Sequence, residues 1–437
     1  VTVSVVGGGL AGCEAAWALA ERGHAVRLHE MRPHVTTPAH RTDRLGEIVC
    51  SNTFKSTELT NAHGLLKAEL RVLGSLLLDV AEGVRVPGGA ALAVDRDLFS
   101  AEVTRRVAGH PRIEIVRGEV TALLSPAVVA TGPLTAPALA DTIARRLGQG
   151  ALAFYDAIAP IVSAESLDTA PLYRGSRYGK GGGADYLNAP LTREAYAAFV
   201  EALRTGEQFT PHAFDTTPYF EGCLPIEEMA ARGADALRFG PLKPVGLPDP
   251  RTGRAPYAVV QLRQEDRAGQ MWNLVGFQTR LRIPEQQRIF RTLPGLVAAE
   301  FLRWGSIHRN TYLNAPAALS AHLSAPDDDR LLFAGQLVGV EGYTESLGTG
   351  LLAGLNLARL LVGAAPVVPP PETMLGALVC YVHTADPAHF QPMNANFGLL
   401  PPLDERVRDK RARHQALAER ALGAMRAFAR DLTRAAA

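Results

Sequence analysis

Thr2-Val3-Ser4-Val5-Val6-Gly7-Gly8-Gly9-Leu10-Ala11-Gly12 is a short apolar run that stops at a glycine cluster and restarts at once as an Ala- and Leu-rich segment reaching Glu21. That order predicts strand, tight turn and helix, a turn in which a pyrophosphate can rest on backbone N–H groups at a helix N-terminus. The spacing assigns Gly7 to the turn, Gly9 to the room a pyrophosphate needs, and Gly12 to close strand–helix contact; Gly8, Leu10 and Ala11 complete the cradle. Arg22-Gly23 ends the helix, with glycine suited to a left-handed cap. A second strand over 24–29 runs into Glu30, 18 residues past Gly12 and near where a carboxylate would grip a ribose 2′-OH. A carboxylate there favours FAD or NAD over NADP, because a 2′-phosphate would meet like charge.

The 437 residues, 47% apolar and 20% charged, suffice for two or three domains with a well-buried core. No stretch reaches the ~18 continuous apolar residues of a membrane helix, and no signal peptide precedes the first strand, so a cytoplasmic enzyme without membrane attachment is expected. The four cysteines suggest neither a disulfide framework nor a metal site, since no pair has ligand spacing. A net charge of +1 gives no nucleic-acid signal for the whole molecule.

Local signals are stronger. Cys50 lies among Ser51, Asn52 and Thr53 with Lys55 nearby, a setting that can lower a thiol's pKa. Cys223 stands just before Pro225 and an expected helix N-terminus, which also favours a thiolate. Residues 174–183, with Arg174, Arg177 and Lys180 among glycines, read as a long exposed loop able to touch phosphate or RNA. Tyr-Leu-Asn-Ala-Pro occurs at 186–190 and again at 312–316, which suggests two crossings between domains. Helices are expected over 284–293 and 296–304. A strand ending at Gly335, then glycines between 339 and 354 opening a long apolar helix, supply a second helix N-terminus and shift the weight from NAD to FAD. From Asp404 to the end, nine basic residues face five acids, the best phosphate-backbone footprint in the chain. The expected architecture is α/β, with residues 1–190 and 306–437 forming a dinucleotide-binding domain around an inserted α+β domain over 191–305.

Four stretches together resemble the folate- and FAD-dependent tRNA (uracil-5-)-methyltransferases. They are Gly-Gly-Gly-Leu-Ala-Gly-Cys-Glu-Ala at 7–15, Cys-Ser-Asn-Thr-Phe-Lys-Ser at 50–56, Phe-Glu-Gly-Cys-Leu-Pro-Ile-Glu at 220–227 and Gly-Val-Glu-Gly-Tyr-Thr-Glu-Ser at 339–346. The resemblance implies a Rossmann-like, glutathione-reductase-type FAD domain and C5 methylation of the T-loop uridine (position 54) of tRNA. The carbon would come from 5,10-methylenetetrahydrofolate and the electrons from NAD(P)H through FAD. It implies Cys50 and Cys223 as the catalytic pair, without deciding which attacks uracil C6, and leaves Cys13 and Cys380 as packing residues. It places Gly335, Gly342, Tyr343, Glu345 and Gly348 at the flavin, and His308, Arg309, Asn188 and Asn314 at the folate. Arg174, Arg177, Arg406, Lys410 and Arg411 are the implied tRNA contacts, in a monomer or weak dimer. The alternatives are an FAD protein modifying the wobble uridine of tRNA and a small-molecule flavin oxidoreductase.

Overall fold

The computed structural model describes residues 2–148, 152–209 and 224–434, apart from the side chains of 152–156, 308, 309, 433 and 434. Strand β1 (Thr2–Val6), helix α1 (Leu10–Glu21) and strand β2 (Ala25–Glu30) follow the apolar periodicity of the sequence. β1 and β2 pair in parallel, Thr2 opposite Ala25 through Val6 opposite His29. On its other side β1 pairs in parallel with Ala127–Val129, which in turn pairs with Asp328–Phe333. The six-stranded sheet therefore runs 324–325, 328–333, 127–129, β1, β2, 113–117. The chain leaves β1 to one side for β2 and returns on the other, so a crevice opens at the carboxyl ends of these strands, where ligands bind in such sheets.

One hydrophobic core joins this sheet to the helices Ala62–Val72, Tyr343–Leu361, Met374–Thr384 and Lys410–Arg434. A second core lies over 162–299. Its sheet runs in the order 173–175, 186–191, 258–264, 271–274, 161–163, 301–303. That sheet crosses the expected 190/191 boundary, because three of its strands come from before residue 192. The two cores are linked by an antiparallel ribbon in which 152–158 pairs with 306–312.

Two local expectations are corrected. Tyr186–Leu191 is an inner strand of the second sheet and no crossing, whereas Tyr312 closes the ribbon; the repeated pentapeptide thus serves two unrelated settings. Residues 301–303 form a strand against 161–162 where a helix was expected, since pairing with the sheet edge outweighs local helical pattern.

The halves of the first domain are joined by backbone contact between α1 and the helix Tyr343–Leu361. A Cβ on Gly350 would lie 2.2 Å from the Ala11 carbonyl oxygen, and one on Gly354 would lie 2.6 Å from that of Ala15. Buried glutamates tie neighbouring helices to this pair. Glu14 on α1 accepts from the Ser75 hydroxyl and from the Leu77 N–H at 2.9 Å, at the start of the helix Leu76–Gly83. Glu69 accepts from the Met374 and Leu375 N–H groups at 2.7 and 2.9 Å, at the start of the helix Met374–Thr384. A carboxyl oxygen there satisfies N–H groups that have no partner within their own helix.

Gly350→Val forces the two backbones apart, so thermal or denaturant unfolding should show a loss of about 1–3 kcal/mol or more. Burial raises Glu14 to about 7 and Glu69 to about 8, from an ordinary 4.5, against the opposing pull of their hydrogen bonds. Both are protonated in the fold over a range where the unfolded chain is ionised. Their stabilising contribution is complete below the unfolded value and is lost as pH rises through the folded ones. The urea midpoint should be lower at about pH 8.5 than at about pH 5.5, and Glu69→Gln should flatten that difference.

Candidate active site

The glycine turn is closed on its protein side and open on the other. Gly7 has φ +104°, and a Cβ there would meet the Ala130 carbonyl oxygen at 2.5 Å. A Cβ on Gly12 would reach the Gly7 carbonyl oxygen at 1.8 Å, so that position admits glycine alone. Above Gly9 nothing lies within 4 Å. No side chain caps α1 at Gly9, which leaves the first N–H groups of the helix to an outside acceptor.

This turn forms the floor of an open cleft. Gly7 to Ala11, Glu30, Arg32 and Glu47 line one part, Thr131 to Ala136 another, and Gly335, Gln336, Tyr343 and Ser346 a third. The cleft thus runs from the N-terminus of α1 to that of the helix starting at Tyr343, which also lacks a side-chain cap. A dinucleotide with a ring system at its far end fits such a cradle, where an open glycine meets one end and a tyrosine the other.

Glu30 stands on the cleft wall, but its oxygens are in use. Oε1 accepts from the Arg32 N–H at 3.0 Å and Nε at 2.8 Å. Oε2 accepts from the Gly8 N–H at 3.0 Å and Arg32 Nη2 at 3.1 Å. All four lone-pair positions are filled, so Glu30 fixes the turn and Arg32 before it can grip a ribose. Burial pushes its carboxyl up, yet the Arg32 guanidinium and the two N–H groups outweigh burial and hold it below the usual value. Arg32 also donates to Glu47 at 2.8 Å. Sequence reading missed Arg32 and Glu47 because residues 31–47 lack periodicity; the available signal was an arginine two places past the strand-end acid.

At the far end the helix beginning at Tyr343 divides its faces. Tyr343 and Ser346 look into the cleft. Glu345 and Gly348 turn toward the packed helices, as the 3.6-residue period requires. Glu345 accepts from the Ala395 N–H at 2.9 Å and faces His63 Nδ1 at 3.1 Å. Burial opposes its ionisation, but His63, Lys55 and that N–H bring it down to about 2. Gly348 packs against Leu70 and Leu375. Gly342, with φ +117°, precedes the helix and is not among the lining residues.

Tyr343 carries the cleft to Cys50. Its hydroxyl accepts from the N–H groups of Cys50 and Ser51 at 3.0 and 3.1 Å and donates to the Ser51 carbonyl at 3.0 Å. The Cys50 thiol is half-buried, 3.6 Å from the Ala157 carbonyl oxygen. Cys223 lies outside the described residues. Cys13 is buried, and burial above all pushes its thiol up. Cys380 is exposed, so its expected packing role fails.

The other expected site residues are scattered. The His308 and Arg309 backbones lie in the ribbon opposite Asp156 and Tyr155, and their side chains are outside the description. Asn188 is buried in the second sheet, donating to the Tyr173 and Gly175 carbonyls and accepting from Gln261, and these bonds keep it from the cleft. Asn314 donates to the Pro387 carbonyl at 3.0 Å. Arg174 is exposed, its guanidinium 5.4 Å from the centre of the Trp272 ring. Arg177 is turned inward, donating to the Lys243 and Val245 carbonyls, which leaves little of its fork for RNA. Arg406, Lys410 and Arg411 are exposed around the start of the last helix.

A family model described as "Glucose inhibited division protein A" matches residues 2–365. The chain is 57% identical over 422 residues to a protein of Geobacter sulfurreducens named methylenetetrahydrofolate--tRNA-(uracil-5-)-methyltransferase TrmFO, covering 96% of this chain and 97% of the other. A Pelotomaculum thermopropionicum protein of the same name is 54% identical over 433 residues, 99% of each chain. Among solved structures, Aquifex aeolicus GidA superposes with a TM-score of 0.71 at 16% identity, over 99% of this chain and 73% of that one. This likeness shows a shared fold.

Tyr343→Phe removes the hydroxyl that holds the loop and leaves two N–H groups without their acceptor. Hydrogen exchange at the Cys50 and Ser51 amides should accelerate about tenfold or more, equivalent to roughly 1.4 kcal/mol of local stability.

Proposed function

The chain belongs to the glucose-inhibited division protein A family and, within it, to the TrmFO methylenetetrahydrofolate--tRNA-(uracil-5-)-methyltransferases, and on that footing we propose that it methylates C5 of the T-loop uridine (position 54) of tRNA. FAD is its cofactor and 5,10-methylenetetrahydrofolate its carbon donor; NAD(P)H is our choice of reductant. When bound, FAD supplies electrons and carries the one-carbon unit.

One observation supports the reading above the rest. A dinucleotide-shaped cleft ends on Tyr343, and the Tyr343 hydroxyl holds the segment that bears Cys50. Uracil C5 is a poor nucleophile until a thiolate adds at C6. In this reading the Cys50 sulfur bonds to C6 and the electron pair moves onto C5 and O4. C5 then takes up the methylene unit, a base removes the C5 proton as the bond from that carbon to its carrier breaks, and a hydride drawn from the reductant completes the methyl group as the S–C6 bond breaks to restore the ring and free the thiolate. Cys223 is the rival for the attack, and the base that takes the proton is left open. The glycine turn would seat the pyrophosphate on the N–H groups of α1. Arg174, Arg406, Lys410 and Arg411 face solvent and are the side chains we assign to tRNA phosphates. No described helix is long and apolar enough to cross a membrane.

Incubation with unmodified tRNA, methylenetetrahydrofolate and NADH, followed by mass analysis of the nucleosides, should yield 5-methyluridine; its absence refutes the reading. Cys50→Ala should keep the flavin and lose methylation by about 100-fold or more. Full activity in that variant removes Cys50 as the nucleophile.

A further inference from the structure

Residues 47–52 form neither helix nor strand, yet the backbone there is held from two domains. Arg96, the first residue of the helix Arg96–Ala108, donates through Nη1 to the Ile48 carbonyl at 3.2 Å and through Nη2 to the Cys50 carbonyl at 3.1 Å. The same guanidinium is gripped from behind by the second domain. Its Nε donates to Glu265 at 2.5 Å, and Glu265, which is fully buried, also accepts from Asn273. Two residues along, Asn52 is fixed in the same way. Its amide donates to Val94 of the first domain and Gln264 of the second, and accepts from Arg263 at 2.8 Å.

A buried ion pair contributes little to stability compared with a well-packed apolar substitute, because both charges lose water. The pair's orientation is the informative feature. The carboxylate lies toward the second domain and the cation toward the carbonyl of the cysteine. The expected cation beside Cys50 was Lys55, but Lys55 acts on Glu345 instead. The charged or titratable groups that face Cys50 are Arg96, Arg303 on the strand 301–303, and Tyr343. Burial, with help from Arg96 and Arg41, pushes the Arg303 guanidinium down to about 10, so cationic charge is crowded here.

We propose that Arg96 is the positioning residue for Cys50, its fork fixing the loop at two carbonyls while Glu265 holds the fork from the second domain. A planar fork can hold two carbonyls and a carboxylate together. The proposal rests on Cys50 being the nucleophile of the methyl transfer described above.

The test is hydrogen exchange at the amides of residues 48–52 in the flavin-loaded full chain, together with kcat and KM for tRNA. Arg96→Ala should accelerate exchange there about tenfold or more and lower kcat about tenfold with KM for tRNA unchanged. Unchanged exchange in Arg96→Ala overturns the proposal, and so does accelerated exchange with kcat unchanged. Because the exchange measurement contains no tRNA or folate, it tests Arg96 even where 5-methyluridine fails to form, and accelerated exchange then supports Arg96 while the methyl-transfer reading falls.

Discussion

The first domain depends on a contact between two helix backbones. α1 and the helix Tyr343–Leu361 come from opposite ends of the chain, and they meet where Gly350 and Gly354 face Ala11 and Ala15. Side chains of ordinary size at these points would hold the helices apart. With none, the N-termini of both helices open onto one cleft, the first at Gly9 and the second at Tyr343. The span from the glycine turn to Tyr343, and through it to Cys50, follows from this contact.

Around this contact the fold uses buried carboxyl groups mainly to hold backbone. Glu14 and Glu69 satisfy helix starts, Glu30 holds the glycine turn through the Gly8 N–H, and Glu345 holds Ala395. Each carboxyl group is matched to fixed N–H groups, and burial without such partners would be strongly unfavourable. Arg96 works in the opposite sense, a cation holding carbonyls. The result is a set of irregular segments, 31–47 and 47–52 above all, that are ordered without being helix or strand. Hydrogen-bonded side chains replace the missing ladder.

Much of the fold was legible in local pattern. β1, α1 and β2 follow from apolar spacing and glycine punctuation, and the late glycine cluster announced a second helix N-terminus, which opens onto the cleft. The four longer motifs carried the family. Less of the site was legible, for reasons visible in particular residues. Asn188 and Arg177 have the side chains a ligand site needs, but sheet and loop carbonyls take up their hydrogen bonds. Glu345 and Gly348 belong to the correct helix and lie on its other face. Arg96 and Glu265 are 169 residues apart, and no spacing rule connects them.

The sequence by itself determined the dinucleotide turn, the α/β class and the cysteine motif, because each is written in contiguous residues whose backbone preferences are local. Only the tertiary structure decided which polar groups remain available for chemistry. A side chain's hydrogen bonds are claimed by whatever the fold brings within about 3 Å, and that neighbour is usually distant in the chain.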